Sequence, residues 1–172
     1  MILSLDIAYR NIGWAVSNNN KIIDTGVIKT KKLDKKSKKG ISSTKEHCNN
    51  IKYIVKELDY IILKYPDIDY VCGELPHSGS QSATASYQMG LITGLIVTYF
   101  LTHNFNSKWV SPNNVKIAVC GKLKAEKEEI MDTITKMYPD YKFPKAKCKF
   151  EHIADAIGAL LVLQNENIYN KC

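Results

Sequence analysis

Three acidic residues lie where a free carboxylate would be costly. Asp6 interrupts an apolar run over residues 1–8 that predicts a central strand. Glu74 ends a second short apolar strand, and Asp155 lies among apolar residues near the start of the last predicted helix. A buried carboxylate without a partner costs several kcal/mol, so each acid needs a cation, a hydrogen-bond network or a metal ion.

A shared metal site explains all three acids together. Taken singly, each could form its own buried pair or cap a helix, but Arg10 is the only arginine in the sequence and can neutralise one or two of them at most. Carboxylates on two strands and one helix are the oxygen ligands that hard divalent cations require. Two such ions can hold the attacking and leaving oxygens of a phosphodiester displacement.

A histidine close to the third acid adds a candidate ligand. His152 precedes Asp155 by three residues, so both side chains face one side of the predicted helix. This spacing favours a ligand over a histidine that only packs in the core or on the surface. Glu151, four residues before Asp155, competes for the same role, and the residues alone leave that choice open.

The charge of the chain indicates an anionic partner. Lys and Arg number 24 against 17 acids, which gives a formal net charge of +7 in 172 residues, and 23 of the basic residues are lysines. Such a surplus favours nucleic acid before a membrane surface. The hydrophobic fraction of 45% and the charged fraction of 24% are ordinary for a globular protein and argue against disorder and against a fibrous protein.

Cysteine spacing and apolar run lengths point to a reducing compartment and to no membrane partner. The five cysteines are scattered, without a Cys-x-x-Cys pair, and we expect reduced thiols in a cytoplasmic protein. The N-terminus lacks the basic region of a secretion signal. The longest apolar stretch of the chain, Met89 to Leu101, has 13 residues and is too short to span a bilayer. Gly90 and Gly94 in that stretch could form an interface or pack against the sheet.

The hydrophobic pattern predicts three strands and then strands separated by helices. This order predicts an α/β fold with a mixed five-stranded sheet and helices on both faces. We expect a single domain over residues 1–172, with a basic loop at about 29–43. The predicted strands are 1–8, 12–17, 21–29, 69–74 and 108–110, and the predicted helices are 43–65, 83–103, 113–119, 125–138 and 151–164.

Four stretches in order carry a family resemblance: Leu5 to Val16; Glu74 to Pro76 with Gly79 to Ala83; Ser111 to Lys116 with Gly121, Lys122 and Ala125 to Lys127; and Glu151 to Ala156. Together they resemble the RuvC family of Holliday junction resolvases, and bacteriophage members most closely. The resemblance implies the RNase H-like, or retroviral-integrase-like, fold.

The resemblance also implies an activity and roles for residues. It implies an endonuclease that nicks four-way DNA junctions, leaves 5′-phosphate and 3′-hydroxyl ends, works as a homodimer and uses two Mg²⁺ or Mn²⁺ ions. Bacterial or phage-infected cytoplasm is the expected location. The implied metal ligands are Asp6, Glu74, His152 and Asp155; Lys116 and Lys127 are expected near the scissile phosphates.

Four lysines and a histidine are candidate DNA contacts, and two other functions remain as alternatives. We expect Lys116, Lys122, Lys124 and Lys127 to bind DNA as a group. His77 occupies the position of an aromatic wedge in some members of the family and could stack on a base. RNase H-type cleavage of RNA–DNA hybrids and non-catalytic junction binding are the alternatives, although the intact acids argue against the second. A sugar-kinase-like fold with two lobes needs a far longer chain.

Overall fold

The computed structural model of the protein describes residues 1–31, 43–75 and 82–166. Within these ranges five strands form one mixed sheet in the order β3-β2-β1-β4-β5. The strands are β1 (Ile2–Asp6), β2 (Asn11–Asn18), β3 (Lys21–Lys29), β4 (Tyr70–Glu74) and β5 (Asn106–Val110). The helices are α1 (Ser43–Lys64), α2 (Ala83–Thr102), α3 (Pro112–Cys120), α4 (Lys127–Met137) and α5 (Lys147–Asn165). The predicted order of elements is confirmed.

The first three strands form an antiparallel meander, and β4 and β5 continue the sheet in parallel with β1. Asn19 and Asn20 turn the β2–β3 hairpin with φ values of 47° and 62°, in the left-handed region that asparagine tolerates better than most residues. Because β1 and β4 are parallel neighbours, their carboxyl ends lie at the same edge of the sheet.

Helices cover both faces of the sheet, as predicted. Leu3 and Leu5 of β1 point to one face, where they join a buried cluster with residues of α1 and α2. Ile2 points to the other face, in a cluster with Cys72 and residues of α3, α4 and α5. The alternation along β1 places Asp6 on the face that α5 covers.

Helix α5 packs tightly on the sheet because a glycine lies beneath it. A Cβ atom at Gly13 of β2 would be 2.1 Å from the carbonyl oxygen of His152, so no side chain fits there. A Cβ atom at Gly158 would be 2.4 Å from Cγ1 of Val115 in α3. These two close approaches fix how α5 lies between the sheet and α3.

Two helix starts differ from the predicted ones by more than one residue. Helix α5 begins at Lys147, one turn before Glu151, and Phe150 in this added turn stacks on Phe143 at a ring-centroid distance of 4.7 Å. Helix α4 begins at Lys127, and Glu126 is its extended N-cap residue instead of a first-turn acid.

Parts of the predicted basic loop lie in regular structure. Its first residue, Lys29, ends β3, and its last, Ser43, begins α1. Residues 32–42 and His77 lie outside the described residues. Among the helices of the described ranges, none has the length and apolar character that crossing a membrane requires.

Candidate active site

Two of the three acids are neighbours across the centre of the sheet. Asp6 and Glu74 are paired residues at the carboxyl ends of β1 and β4. The ladder continues one step further, since the N–H of Ile7 donates to the carbonyl oxygen of Glu74 at 3.2 Å. The side chain of Asp6 is only 13% exposed. Strand register alone therefore brings two carboxylates from residues far apart in sequence to one place.

Helix α5 supplies the third acid and the histidine. Nδ1 of His152 donates a hydrogen bond to Oδ2 of Asp6 at 2.7 Å. A carboxylate can only accept, so this bond places the imidazole proton on Nδ1 and leaves the lone pair of Nε2 for another partner. The close packing on Gly13 holds His152 at this distance from β1.

The four side chains line a cavity of about 780 Å³ at the carboxyl edge of the sheet. Three lysines line the same cavity. Its described lining consists of Asp6, Ile7, Ala8, Glu74, Pro112, Val115, Lys116, Leu123, Lys124, Ala125, Glu126, Lys127, Ile130, His152 and Asp155. Acids and lysines in one cavity can hold cations and attract a phosphate backbone at the same time.

Two of the acids hold their protons more tightly than a carboxyl in water. Burial, and then the charges of Asp155 and Asp6, raise the pKa of Glu74 to about 8. Burial, and then the charge of Asp6, raise the pKa of Asp155 to about 6. Lys116 and Lys127 act in the opposite direction on both groups but do not cancel the effect. The acids therefore repel one another in a setting where a further positive charge would stabilise them.

The donor set suits Mg²⁺ or Mn²⁺ in its chemistry. It combines three carboxylates with an imidazole whose second nitrogen already binds a carboxylate, an arrangement frequent in metal-ligating histidines. In the part of the chain that the structure describes, no three His, Cys, Asp or Glu side chains converge closely enough to hold an ion.

The predicted lysines divide into two groups. Lys116 of α3, Lys124 and Lys127 line the cavity. Lys122 instead forms an ion pair with Glu129, with 2.7 Å between Nζ and Oε1.

The competing ligand candidate, Glu151, has a different partner. It accepts a hydrogen bond from Lys127 and is not among the described lining residues, whereas His152 is. Arg10 pairs with Glu46 at 3.1 Å and also binds the carbonyl oxygen of Lys31. The arginine is therefore engaged away from the three acids.

Sequence reasoning missed one charged residue of the cavity and its apolar wall. Glu126 lines the cavity, but in the sequence it has the pattern of an ordinary acid at a helix start. The wall includes Ile7, Leu123 and Ile130, which the sequence marks only as apolar. Leu123 lies between the candidate lysines Lys122 and Lys124, and this position in the sequence could have indicated that it lies near the site.

The chain is similar in sequence to RuvC proteins of Rickettsia species. The chain is 31% identical over 144 residues to the crossover junction endodeoxyribonuclease RuvC of Rickettsia typhi, covering 81% of this chain and 83% of that protein. The corresponding protein of Rickettsia felis is 28% identical over the same shares. A scan against protein-family models found no match.

Solved structures show the same fold. Thermus thermophilus RuvC in complex with a Holliday junction substrate superposes with a TM-score of 0.72 at 17% identity, covering 98% of this chain and 95% of that one. The fowlpox virus resolvase with Holliday junction DNA has a TM-score of 0.56 at 19% identity, covering 97% and 98%. The RNase H-like fold that the resemblance implies is thereby confirmed.

Proposed function

Because the chain belongs to the RuvC family of crossover junction endodeoxyribonucleases, we propose that it is a metal-dependent endonuclease that nicks four-way DNA junctions. One observation supports this most strongly. Asp6, Glu74, His152 and Asp155 line a single cavity together with Lys116, Lys124 and Lys127. Acids and lysines that line one cavity suit a polyanionic substrate whose reacting phosphate must approach bound cations.

The four ligand candidates would hold Mg²⁺ or Mn²⁺, and we propose two ions per site. When bound, the ions supply the positive charge that activates a water and neutralises the reacting phosphate. Asp6 pairs with Glu74 across the strands and binds His152, so it would be the group best placed to serve both ions. His152 keeps its ring orientation through the hydrogen bond to Asp6. In-line attack of water on the phosphorus would break its bond to the 3′ oxygen and leave a 5′-phosphate and a 3′-hydroxyl.

The lysines bind the DNA backbone. We assign Lys116 and Lys127 to the scissile phosphate, because both line the cavity and both act electrostatically on Glu74 and Asp155. Lys124 lines the cavity as well, and Lys122 contributes sequence-independent attraction from outside it. His77 is a proposed stacking residue near the branch point. Such attraction weakens steeply with added salt.

A second copy of the chain is the proposed partner of α2. This helix carries no charged side chain over its 20 residues, and Gly90 and Gly94 are exposed on it. A Cβ atom at either glycine would meet no described atom within 4 Å, so these glycines do not pack against the sheet. A homodimer through this face would present two active sites to one junction. The test is the oligomeric state of Gly94→Lys in solution.

The proposed location is the cytoplasm of a bacterium or of a phage-infected host. The four cysteines within the described ranges, Cys48, Cys72, Cys120 and Cys148, are all free thiols. Free thiols persist in reducing compartments.

The proposed activity is tested by incubating the protein with labelled four-way, three-way, flap, linear duplex and RNA–DNA hybrid substrates, with Mg²⁺ or Mn²⁺. We expect nicks in the four-way junction that DNA ligase can reseal, because ligation needs the 5′-phosphate and 3′-hydroxyl. Preferred cutting of the hybrid would support the RNase H-type alternative. Tight junction binding without cutting in either metal would support a non-catalytic binding protein.

A further inference from the structure

Two ion pairs join the start of α4 to the start of α5. Lys127, the first residue of α4, binds Glu151 of α5. The next residue, Glu128, binds Lys147, one turn earlier on α5. The two pairs have opposite polarity, and only Lys127 among the four residues is part of the described cavity lining. The pairs are thus equivalent as links between helices but differ in their relation to the active site.

Lys127 needs a partner in order to stay at the cavity. Its side chain is 66% exposed, so packing restrains it little. It also begins a helix, where the dipole is positive and an ammonium group is unfavourable. Without an anion close by, the flexible side chain would turn away from the helix start into solvent. The carboxylate of Glu151, only 24% exposed and fixed on α5, supplies that anion.

The pairing leaves Lys127 able to bind a phosphate. An ammonium group has three donors, and Glu151 uses one of them. The charge of Lys127 also reaches the acids, since it lowers the pKa of both Glu74 and Asp155 against the effect of burial. A lysine held in this way meets the incoming phosphate already in position, without paying the entropy of ordering a long side chain.

We propose that Glu151 is a positioning residue, which holds the ammonium of Lys127 at the cavity so that it contacts the scissile phosphate. This inference rests on the proposed nuclease function. It also gives Glu151 a role other than that of metal ligand, which His152 fills.

The test is a double-mutant cycle on single-turnover cleavage of a four-way junction. We expect Lys127→Ala to slow cleavage roughly 100-fold and Glu151→Gln to slow it about tenfold, because the first removes the charge and the second only its position. The double variant should be no slower than Lys127→Ala, since Glu151 acts through that lysine. Two further readouts should not move in Glu151→Gln: the metal concentration for half-maximal activity, and junction affinity in metal-free buffer.

The matched control is Glu128→Gln, which breaks the neighbouring pair and should cut at the wild-type rate. A Glu151→Gln variant that cuts like the wild type overturns the inference, as does a double variant slower than both single variants or a shifted metal requirement. A wild-type protein that cuts no branched substrate refutes the proposed function, and the inference with it, before the variants are compared. A slow Glu151→Gln variant with unchanged thermal stability excludes a merely structural effect.

Discussion

Gly13 of β2 lies against the backbone of His152 so closely that a Cβ atom there would be 2.1 Å from the histidine carbonyl oxygen. The hydrogen bond from His152 to Asp6 of β1 therefore depends on the absence of a side chain at Gly13 in the neighbouring strand. Gly13→Ala should push α5 off the sheet, lower the free energy of unfolding by roughly 1–3 kcal/mol and abolish most cleavage. Thermal unfolding and single-turnover cleavage measure the two effects.

The control is Gly26→Ala, because a Cβ atom there would crowd the Trp14 ring at 2.6 Å without touching α5. This variant should lose stability and keep the cleavage rate when assayed below its melting temperature. Equal loss of activity in both variants would show that the effect is instability and not displacement of His152.

Asp6→Asn tests the centre of the site. The side chain keeps its volume but loses its charge, which also relieves the repulsion acting on Glu74 and Asp155. We expect a folded protein that binds a four-way junction with near-native affinity and cuts it at least 100-fold more slowly, about 3 kcal/mol in barrier height. Asp155→Asn should behave alike, whereas the exposed Asp132→Asn should cut normally. Native-rate cleavage by Asp6→Asn would remove Asp6 from the site.

The metal-free protein should lose stability as the pH rises. The pKa of Glu74 is raised from 4.5 to about 8, so the folded state holds this proton more tightly than the unfolded chain. That stabilisation is complete below about pH 4.5 and is lost as the pH rises through about 8. Asp155, with its pKa raised to about 6, adds to the loss in the lower part of this range.

Melting temperatures in EDTA between pH 5 and pH 8 measure this effect, which we expect to be on the order of 2–3 kcal/mol. Glu74→Gln should flatten the decline, and Mg²⁺ added at pH 8 should raise the melting temperature of the wild type more than that of the variant. A stability that is constant across the range would contradict the acid cluster as described.

The metal preference should follow from His152. Mg²⁺ prefers oxygen ligands, whereas Mn²⁺ also accepts imidazole. Cleavage with Mn²⁺ should therefore be at least as fast as with Mg²⁺, and His152→Asp should shift the preference toward Mg²⁺. Rates measured across a titration of each metal decide this, and an unchanged preference in the variant would argue that His152 is no ligand.

Substitutions of lysines inside and outside the cavity should differ in their effects on cleavage and on DNA binding. Lys116→Ala should reduce cleavage more than binding, since Lys116 lines the cavity and its proposed role is to stabilise charge that develops at the phosphate. Lys122→Ala is the matched control: its side chain is paired with Glu129, and its loss should weaken binding slightly without a separate effect on turnover. Replacing several lysines between Lys29 and Lys39 should mainly weaken binding and its salt dependence. If all three sets of substitutions reduced binding and turnover equally, the distinction between lysines inside and outside the cavity would be refuted.

The residue pattern was sufficient to find the three acids but not to choose between Glu151 and His152 as a further ligand. Asp6 and Glu74 are conspicuous because apolar residues precede them, and parallel pairing then brings them together. Glu151 and His152 both had suitable spacing to Asp155, and adjacent residues point about 100° apart on a helix. The rotation of α5 determines that His152 lines the cavity while Glu151 pairs with Lys127. Contacts of Gly13 and Gly158 fix that rotation, and they depend on elements far away in the sequence.

Contacts between neighbouring elements account for two further differences. The sequence groups Lys122 with Lys124 and Lys127, but Lys122 pairs with Glu129 and is not part of the described cavity lining. The added first turn of α5 includes Phe150, which stacks on Phe143, and hydrophobic periodicity alone does not show that contact.

The order in which the ribosome makes these elements has a consequence for the newborn chain. Asp6 and His152, in hydrogen-bond contact in the folded protein, are 146 residues apart. At about 5–20 residues per second, roughly 7–30 s pass between their synthesis. During that time one face of the sheet lacks its α5 cover, and the nascent chain exposes apolar strands to chaperones and to other chains. An incomplete chain also lacks His152 and Asp155, so the candidate site is assembled only after α5 has been made.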